Sequence, residues 1–260
     1  MKRLIVNADD YGLTPGVSEG IRRAYTEGIV RSTTVMMNQP PAARELETLL
    51  QDCPALGLGV HLTLTAGFPL LPAAQLPSLV RPDGRFWDQE YFFAHLADIA
   101  AEQALAEWRA QVQLFTQVTG RRPDHLDAHH HSAYASPALL EALLTLAREL
   151  DCPIRAPAND AGLNHELLAA STVLHPDALC LDFYGEQATA EQMRRCLQHI
   201  ADSNFEVWEI MAHPAVVDPL LRQVSSYTAA REQELAILTD PEITAFLSAQ
   251  QISLTSFNCL

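Results

Sequence analysis

Positive charge is scarce in this chain: 17 Lys and Arg stand against 32 Asp and Glu, a formal net charge of −15. A duplex nucleic-acid binder needs a basic stripe to displace counterions from phosphates, and a chain this acidic excludes that class. Long apolar runs are missing as well. No stretch reaches the about 18 apolar residues of a spanning helix, so no membrane partner is expected. The opening Met1-Lys2-Arg3-Leu4-Ile5-Val6 loses its apolar character at Asn7-Ala8-Asp9-Asp10, too soon for the core of a secretion signal. Five cysteines, Cys53, Cys152, Cys180, Cys196 and Cys259, show neither zinc-ribbon nor redox-pair spacing. They are expected to be reduced thiols in a cytoplasmic protein. Repeats, low-complexity tracts and linker-like shifts are also absent, so residues 1–260 are expected to form a single domain.

What remains is a globular composition, 48% hydrophobic and 19% charged over 260 residues. Short β-rich runs alternate with helical patterns, which predicts parallel strands joined by helices. The predicted strands cover 4–6, 33–37, 57–64, 124–129, 153–155, 205–211 and 252–254. Helices are predicted from 15 to a stop at Gly28, over 42–50, around Leu105, Trp108, Val112 and Phe115, and from Pro137 to 150. Another follows Thr189 and Gln192, which read as a capping box, and a last one includes 243–247. Residues 158–188 carry little pattern.

Such a chain closes as a (β/α) barrel or stays open as a doubly wound sheet. Barrel enzymes place catalytic residues at the C-terminal ends of several strands. Asp9-Asp10, His61, His129 and His213 all follow apolar strand runs. The expected fold is therefore α/β, a distorted, TIM-like (β/α) barrel of about seven parallel strands.

Adjacent carboxylates at a buried strand end repel each other unless a cation or proton compensates. Neighbours on an extended chain point opposite ways, so a division of labour is expected, one Asp on a metal and the other beside it as a base. An Asp pair opening the first helix as its cap is the alternative. In Asp124-His125-Leu126-Asp127-Ala128-His129-His130-His131, period two puts His125, Asp127 and His129 on one face. His129 is the expected ligand, and Asp127 a carboxylate accepting the other ring N–H of a ligating histidine. With His61 of Gly59-Val60-His61-Leu62-Thr63, one carboxylate and two imidazoles make a three-ligand site. Zinc, magnesium, manganese or ferrous iron suits it, and the same set serves ferrous oxygenases. The spare carboxylate tilts the balance to hydrolysis, because a metal lowers the pKa of bound water from about 15.7 toward about 7 and a base takes its proton.

His213, in Glu209-Ile210-Met211-Ala212-His213-Pro214, is a candidate general acid, with a capped loop histidine as the alternative. Arg155 is placed to pair with Asp9. Residues 66–89, rich in proline, leave the strand that bears His61 and are expected to roof the site. Trp87 or Tyr91 there could stack on a sugar ring or simply pack.

The strings Ile5-Val6-Asn7-Ala8-Asp9-Asp10-Tyr11-Gly12-Leu13, Gly59 to Thr63, His125 to His131 and Glu209 to Pro214 resemble those of the YdjC family, the ChbG/HpnK-type carbohydrate deacetylases. The resemblance runs from about residue 2 to about 255 and implies a distorted barrel that removes acetyl groups from N-acetylated mono- or oligosaccharides, chito-oligosaccharides above all. It implies Asp10, His61 and His129 as metal ligands, magnesium or zinc as the ion, Asp9 as catalytic base and His213 as acid. Some members follow the triple histidine with Val-His, whereas here it is Ser132-Ala133-Tyr134, so sugar and chain-length preference do not carry over. A non-catalytic sugar-binding protein is the remaining alternative, and a homodimer stays open.

Overall fold

The computed structural model describes residues 1–156 and 163–260. Seven strands appear among them: β1 (Lys2–Tyr11), β2 (Ser32–Val35), β3 (Gly57–Leu62), β4 (Leu126–Ala128), β5 (Ala178–Cys180), β6 (Val207–Ala212) and β7 (Ile252–Thr255). The helices are α1 (Pro15–Thr26), α2 (Ala42–Asp52), α3 (Gln89–Ala94), α4 (Ala101–Thr119), α5 (Pro137–Leu150), α6 (Leu163–Ala170), α7 (Ala190–Asp202), α8 (Leu221–Val224), α9 (Ala229–Leu238) and α10 (Pro241–Ala249). All pairings between strands are parallel, in the order β4-β3-β2-β1-β6-β5. The expected distorted α/β barrel of about seven parallel strands forms, its curled sheet closing as a half-barrel. No helix among the described residues is long and apolar enough to cross a membrane.

β1 is the organising strand. Its residues 2–5 pair with β7 and residues 7–11 with β2 along one edge, while β6 runs along the other. Leu4, Val6 and Ala8 enter the main core, whereas Ile5 packs with Val207 and Phe257 in a separate small cluster. That alternation gives the curled sheet an inner face, and the inner face is polar. Asn7, Asp9, Ser32, Thr34, His61, His125, Asp127 and Glu209 are all buried. A parallel sheet packed for stability alone would carry branched apolar residues there.

Helix ends follow the expected chemistry. Thr14 caps α1, accepting from Val17 N–H with Pro15 in the first turn, and Ser136 caps α5 ahead of Pro137 in the same way. Thr189 caps α7, and α4 stops at Gly120, whose φ of 70° suits a residue without Cβ. On α4, Ala104 takes the buried position predicted for Leu105, which is half-buried.

The strand predicted over 153–155 is a single parallel bridge, Leu126 to Ile154, and β5 lies instead at Ala178–Cys180. The chain at 153–155 is too short of ladder partners to extend: Ile154 N–H donates to Leu174 O and Arg155 N–H to Leu126 O. This irregular segment covers the side of the barrel beyond β4. Residues 158–162, part of the stretch with little pattern, lie outside the described residues.

The roof segment is fixed from below. Glu107, buried on α4, accepts from the N–H groups of Leu70 and Leu71 at 2.9 and 3.0 Å. Gln111, one turn on, exchanges two hydrogen bonds with the Thr63 backbone. The loop leaving β3 is thereby carried over the barrel mouth.

Candidate active site

Between Ala8 and Tyr11 the β1–β2 register slips: Ala8 faces Thr33 and Tyr11 faces Val35, so two residues oppose one. This is a β-bulge, and Asp10 takes the left-handed conformation within it, with φ of 71°. Bulges re-aim side chains, and this one overturns the alternation expected of Asp9 and Asp10. Both line one cleft of about 1070 Å³.

Asp10 Oδ1 lies 3.3 Å from His61 Nε2 and 3.1 Å from His129 Nδ1, and the two ring nitrogens are 3.2 Å apart. Three donors about 2.1 Å from one ion stand about 3.0 Å apart in octahedral and about 3.4 Å apart in tetrahedral geometry, so the cluster fits a divalent cation. Asp10 Oδ1 is buried and accepts no hydrogen bond, an orphan that a cation would satisfy. His61 Nδ1 faces Asp127 Oδ1 at 2.7 Å, a contact that would keep a proton on that nitrogen and leave Nε2 free to bind when a cation occupies the cluster. Asp127 is in turn held by the Thr34 hydroxyl at 3.0 Å. Burial opposes charge on His61, but Asp127 with Asp10 and Asp9 outweighs it and pushes the ring up to about 10. The negative field that would hold a proton there is one that would hold a metal. A second donor set, Asp9, His61 and Asp127, overlaps the first, but the Arg155 guanidinium already sits against both carboxylates.

Asp9 is gripped by Arg155 through two hydrogen bonds of 2.6 and 2.7 Å, and Asn7 donates to it at 2.8 Å. Burial raises its pKa, yet Arg155 overcomes that and holds the carboxyl well below the usual range. His213 Nε2 stands 3.9 Å from Asp9 Oδ2, and burial pulls this imidazole down to about 4. All six residues singled out from the sequence, Asp9, Asp10, His61, His129, Arg155 and His213, thus meet at one end of the barrel. Trp87 and Tyr91 do not join them. Their rings stack on each other at 3.8 Å, Tyr91 continues onto His95, and neither lines the cleft. The roof instead lines the cleft with Ala66, Gly67, Phe68, Arg85, Asp88 and Gln89, the Arg85 guanidinium lying 4.8 Å above the Phe68 ring.

Two positions on α9 that contact the candidate site escaped sequence reasoning. Arg231 donates to Asp10 Oδ2 at 2.6 Å, and burial is opposed by this residue's charge in keeping Asp10 ionised. Glu234, one turn on, accepts from the His213 backbone N–H and from the Tyr227 hydroxyl. Tyr227 OH also accepts from Gly185 N–H at 2.9 Å, and its ring stacks on Tyr184 at 4.6 Å. One helix therefore orients a candidate metal ligand, the His213 loop and an aromatic wall. A signal existed: 231, 234, 235 and 238 form one helical stripe in which two charges occupy core positions.

A half-closed parallel barrel with a cation-sized Asp/His cluster at its strand ends defines an α/β protein of the deacetylase-like distorted-barrel fold. A solved T48 deacetylase with substrate shares that fold, at TM-score 0.51 and 11% identity over 99% of this chain and 89% of that one. The chain belongs to the YdjC-like protein family, which matches residues 3–249. A carbohydrate deacetylase of Enterococcus faecalis is 36% identical over 261 residues, covering 100% of this chain and 98% of the relative. A crystal structure of an Enterococcus faecalis V583 protein superimposes at TM-score 0.94 with 36% identity, over 99% and 98% of the two chains.

Proposed function

We propose that this protein is a carbohydrate deacetylase, a hydrolase, acting on an N-acetylated mono- or oligosaccharide of the chito-oligosaccharide kind. The observation that carries this reading is the bulge that turns two carboxylates into one cleft, Asp10 toward His61 and His129, and Asp9 beside them but held apart by Arg155. A binding protein has no use for that second, permanently ionised carboxylate, and a hydrolase does. The curated relatives of similar length carry the deacetylase name.

Asp10, His61 and His129 would hold magnesium or zinc. When bound, such an ion supplies Lewis acidity toward a carbonyl and makes a water easier to deprotonate. Asp9 takes the proton of the attacking water, and Arg155 keeps its carboxylate charged and oriented. His213 Nε2 stands 3.9 Å from Asp9 Oδ2, beyond direct hydrogen-bond reach, so the proton passes to the imidazole through one intervening water. Burial makes protonated His213 a strong acid, so it surrenders the proton to the departing amine. Acetate and a free amino sugar result.

The test is acetate release from N,N′-diacetylchitobiose by metal-stripped protein, with Mg²⁺, Zn²⁺ and Mn²⁺ restored separately. Acetate that appears only with metal, and equally without dioxygen, supports the reading and excludes an oxygenase. Silence across a panel of N-acetylated glycans with metal demonstrably bound would sink it.

A further inference from the structure

Cys180 and Cys196 are 16 residues apart in sequence, one closing β5 and the other midway along α7, and their sulfurs lie 3.1 Å apart. Both side chains are buried but not sealed, at 8% and 5% exposure. A disulfide bond is about 2.05 Å long, so closure by about 1 Å joins them. The two thiols are not equivalent. The Cys180–Cys196 contact, with hydrogen bonds from the backbone N–H groups of Asp182 and Phe183, lowers the pKa of Cys180, while Cys196 is raised by that same contact and by burial. Cys180 is thus the better nucleophile and Cys196 the resolving thiol. Asp182 brings a carboxylate within 4.8 Å of both, a donor set that zinc also uses. Thiolates sharing a tetrahedral zinc at about 2.3 Å stand about 3.8 Å apart, so the observed separation favours a bond over an ion.

We propose that Cys180 and Cys196 form an oxidisable dithiol, a reversible disulfide site that fastens β5 to α7. A small disulfide such as oxidised glutathione is the oxidant. The Cys180 thiolate attacks one of its sulfurs, forming a mixed disulfide and releasing one glutathione thiolate. Cys196 loses its proton to solvent and attacks Cys180 Sγ, which expels the second glutathione thiolate. Two protein thiols are oxidised and one glutathione disulfide is reduced. The bond closes a loop that contains Leu181 and Tyr184, both lining the cleft, with the Tyr184 ring edge-on to His213 at 5.3 Å. This site is independent of the proposed reaction.

The experiment equilibrates reduced protein with a glutathione disulfide buffer, blocks remaining thiols under denaturing conditions, and maps unreduced peptides by mass spectrometry. The expected result is an intact mass lower by about 2 Da, a peptide pair linked through Cys180 and Cys196, and full reversal by dithiothreitol. Cys196→Ser should lose the linked pair and carry glutathione on Cys180; should that variant misfold, the reversible bond in the unaltered protein decides. Three results would overturn the proposal. In one, Cys259, the partly exposed thiol, takes up glutathione while Cys180 and Cys196 stay free. In another, the linked peptide joins other cysteines. In the third, purified protein holds zinc that Cys180→Ser releases.

Discussion

Arg155 meets Asp9 head-on: Nη1 donates to Oδ2 at 2.6 Å and Nη2 to Oδ1 at 2.7 Å, both side chains shut away from solvent. The same guanidinium reaches Glu209 at 2.7 Å through Nε and Asp127 at 3.1 Å. His61 shares the load at Asp127, which leaves the guanidinium chiefly between Asp9 and Glu209, and the group with the better geometry stays ionised while the other takes up a proton more readily. Asp9 is the first. Glu209, pushed up to about 7 by burial and only partly relieved by Arg155, is the second.

Replacing Asp9 by Asn keeps the shape but removes the base. Acetate release should fall by roughly 10²–10⁴-fold, while metal content measured by elemental analysis stays at the unaltered level. Native-like turnover in Asp9→Asn would remove Asp9 from the role of base.

Arg231→Met leaves Asp10 Oδ2 without its 2.6 Å donor. Outer partners of metal ligands are worth about 10–100-fold in affinity, so metal titration should show weakening of that order. Saturating metal should restore most of the activity. An unchanged affinity would mean that Arg231 serves packing alone.

Glu209 also sets a pH dependence. Its folded pKa lies above the unfolded value of 4.5, so the native state binds the extra proton between 4.5 and about 7. The contribution is present below 4.5 and is lost as pH rises through about 7, on the order of 3 kcal/mol in all. Glu209→Gln mimics the protonated acid, so its urea midpoint should fall less than that of the unaltered protein between about pH 5 and about pH 8. Parallel slopes for the two proteins would contradict this.

Gly59 has no room for a side chain. A Cβ there would lie 2.5 Å from the His125 ring and 2.6 Å from its carbonyl oxygen. The backbone contact cannot swing aside, so Gly59→Ala should cost about 1–3 kcal/mol or more, read from the urea midpoint. An unshifted midpoint would show that β3 and β4 separate freely.

The main site residues could be found in the sequence because each sits where an apolar run breaks into Asp or His, and those breaks recur at strand ends. The bulge could not. A positive φ at an aspartate leaves no mark in alternation, so Asp9 and Asp10 read as pointing apart. Arg231 and Glu234 lie among charged neighbours in Arg-Glu-Gln-Glu and look like a solvated helix face until their stripe is followed to Leu235 and Leu238. β5 is three residues long, between Asp177 and Asp182, too brief for any periodicity to show. The Cys180–Cys196 meeting depends on how α7 docks, which no spacing of cysteines encodes.

The sharing of β1 among three strands has a bearing on biosynthesis. Residues 2–11 are made well before β6 and β7, yet Leu4 pairs with both Trp208 and Leu254. Until those partners are translated, β1 keeps open backbone edges, the kind of surface on which nascent chains mispair. Arg155 is also made long after Asp9, and until then the strand carrying both aspartates lacks the guanidinium that balances it. Maturation of the cleft is therefore expected to be a late event, completed when β6 and β7 reach β1.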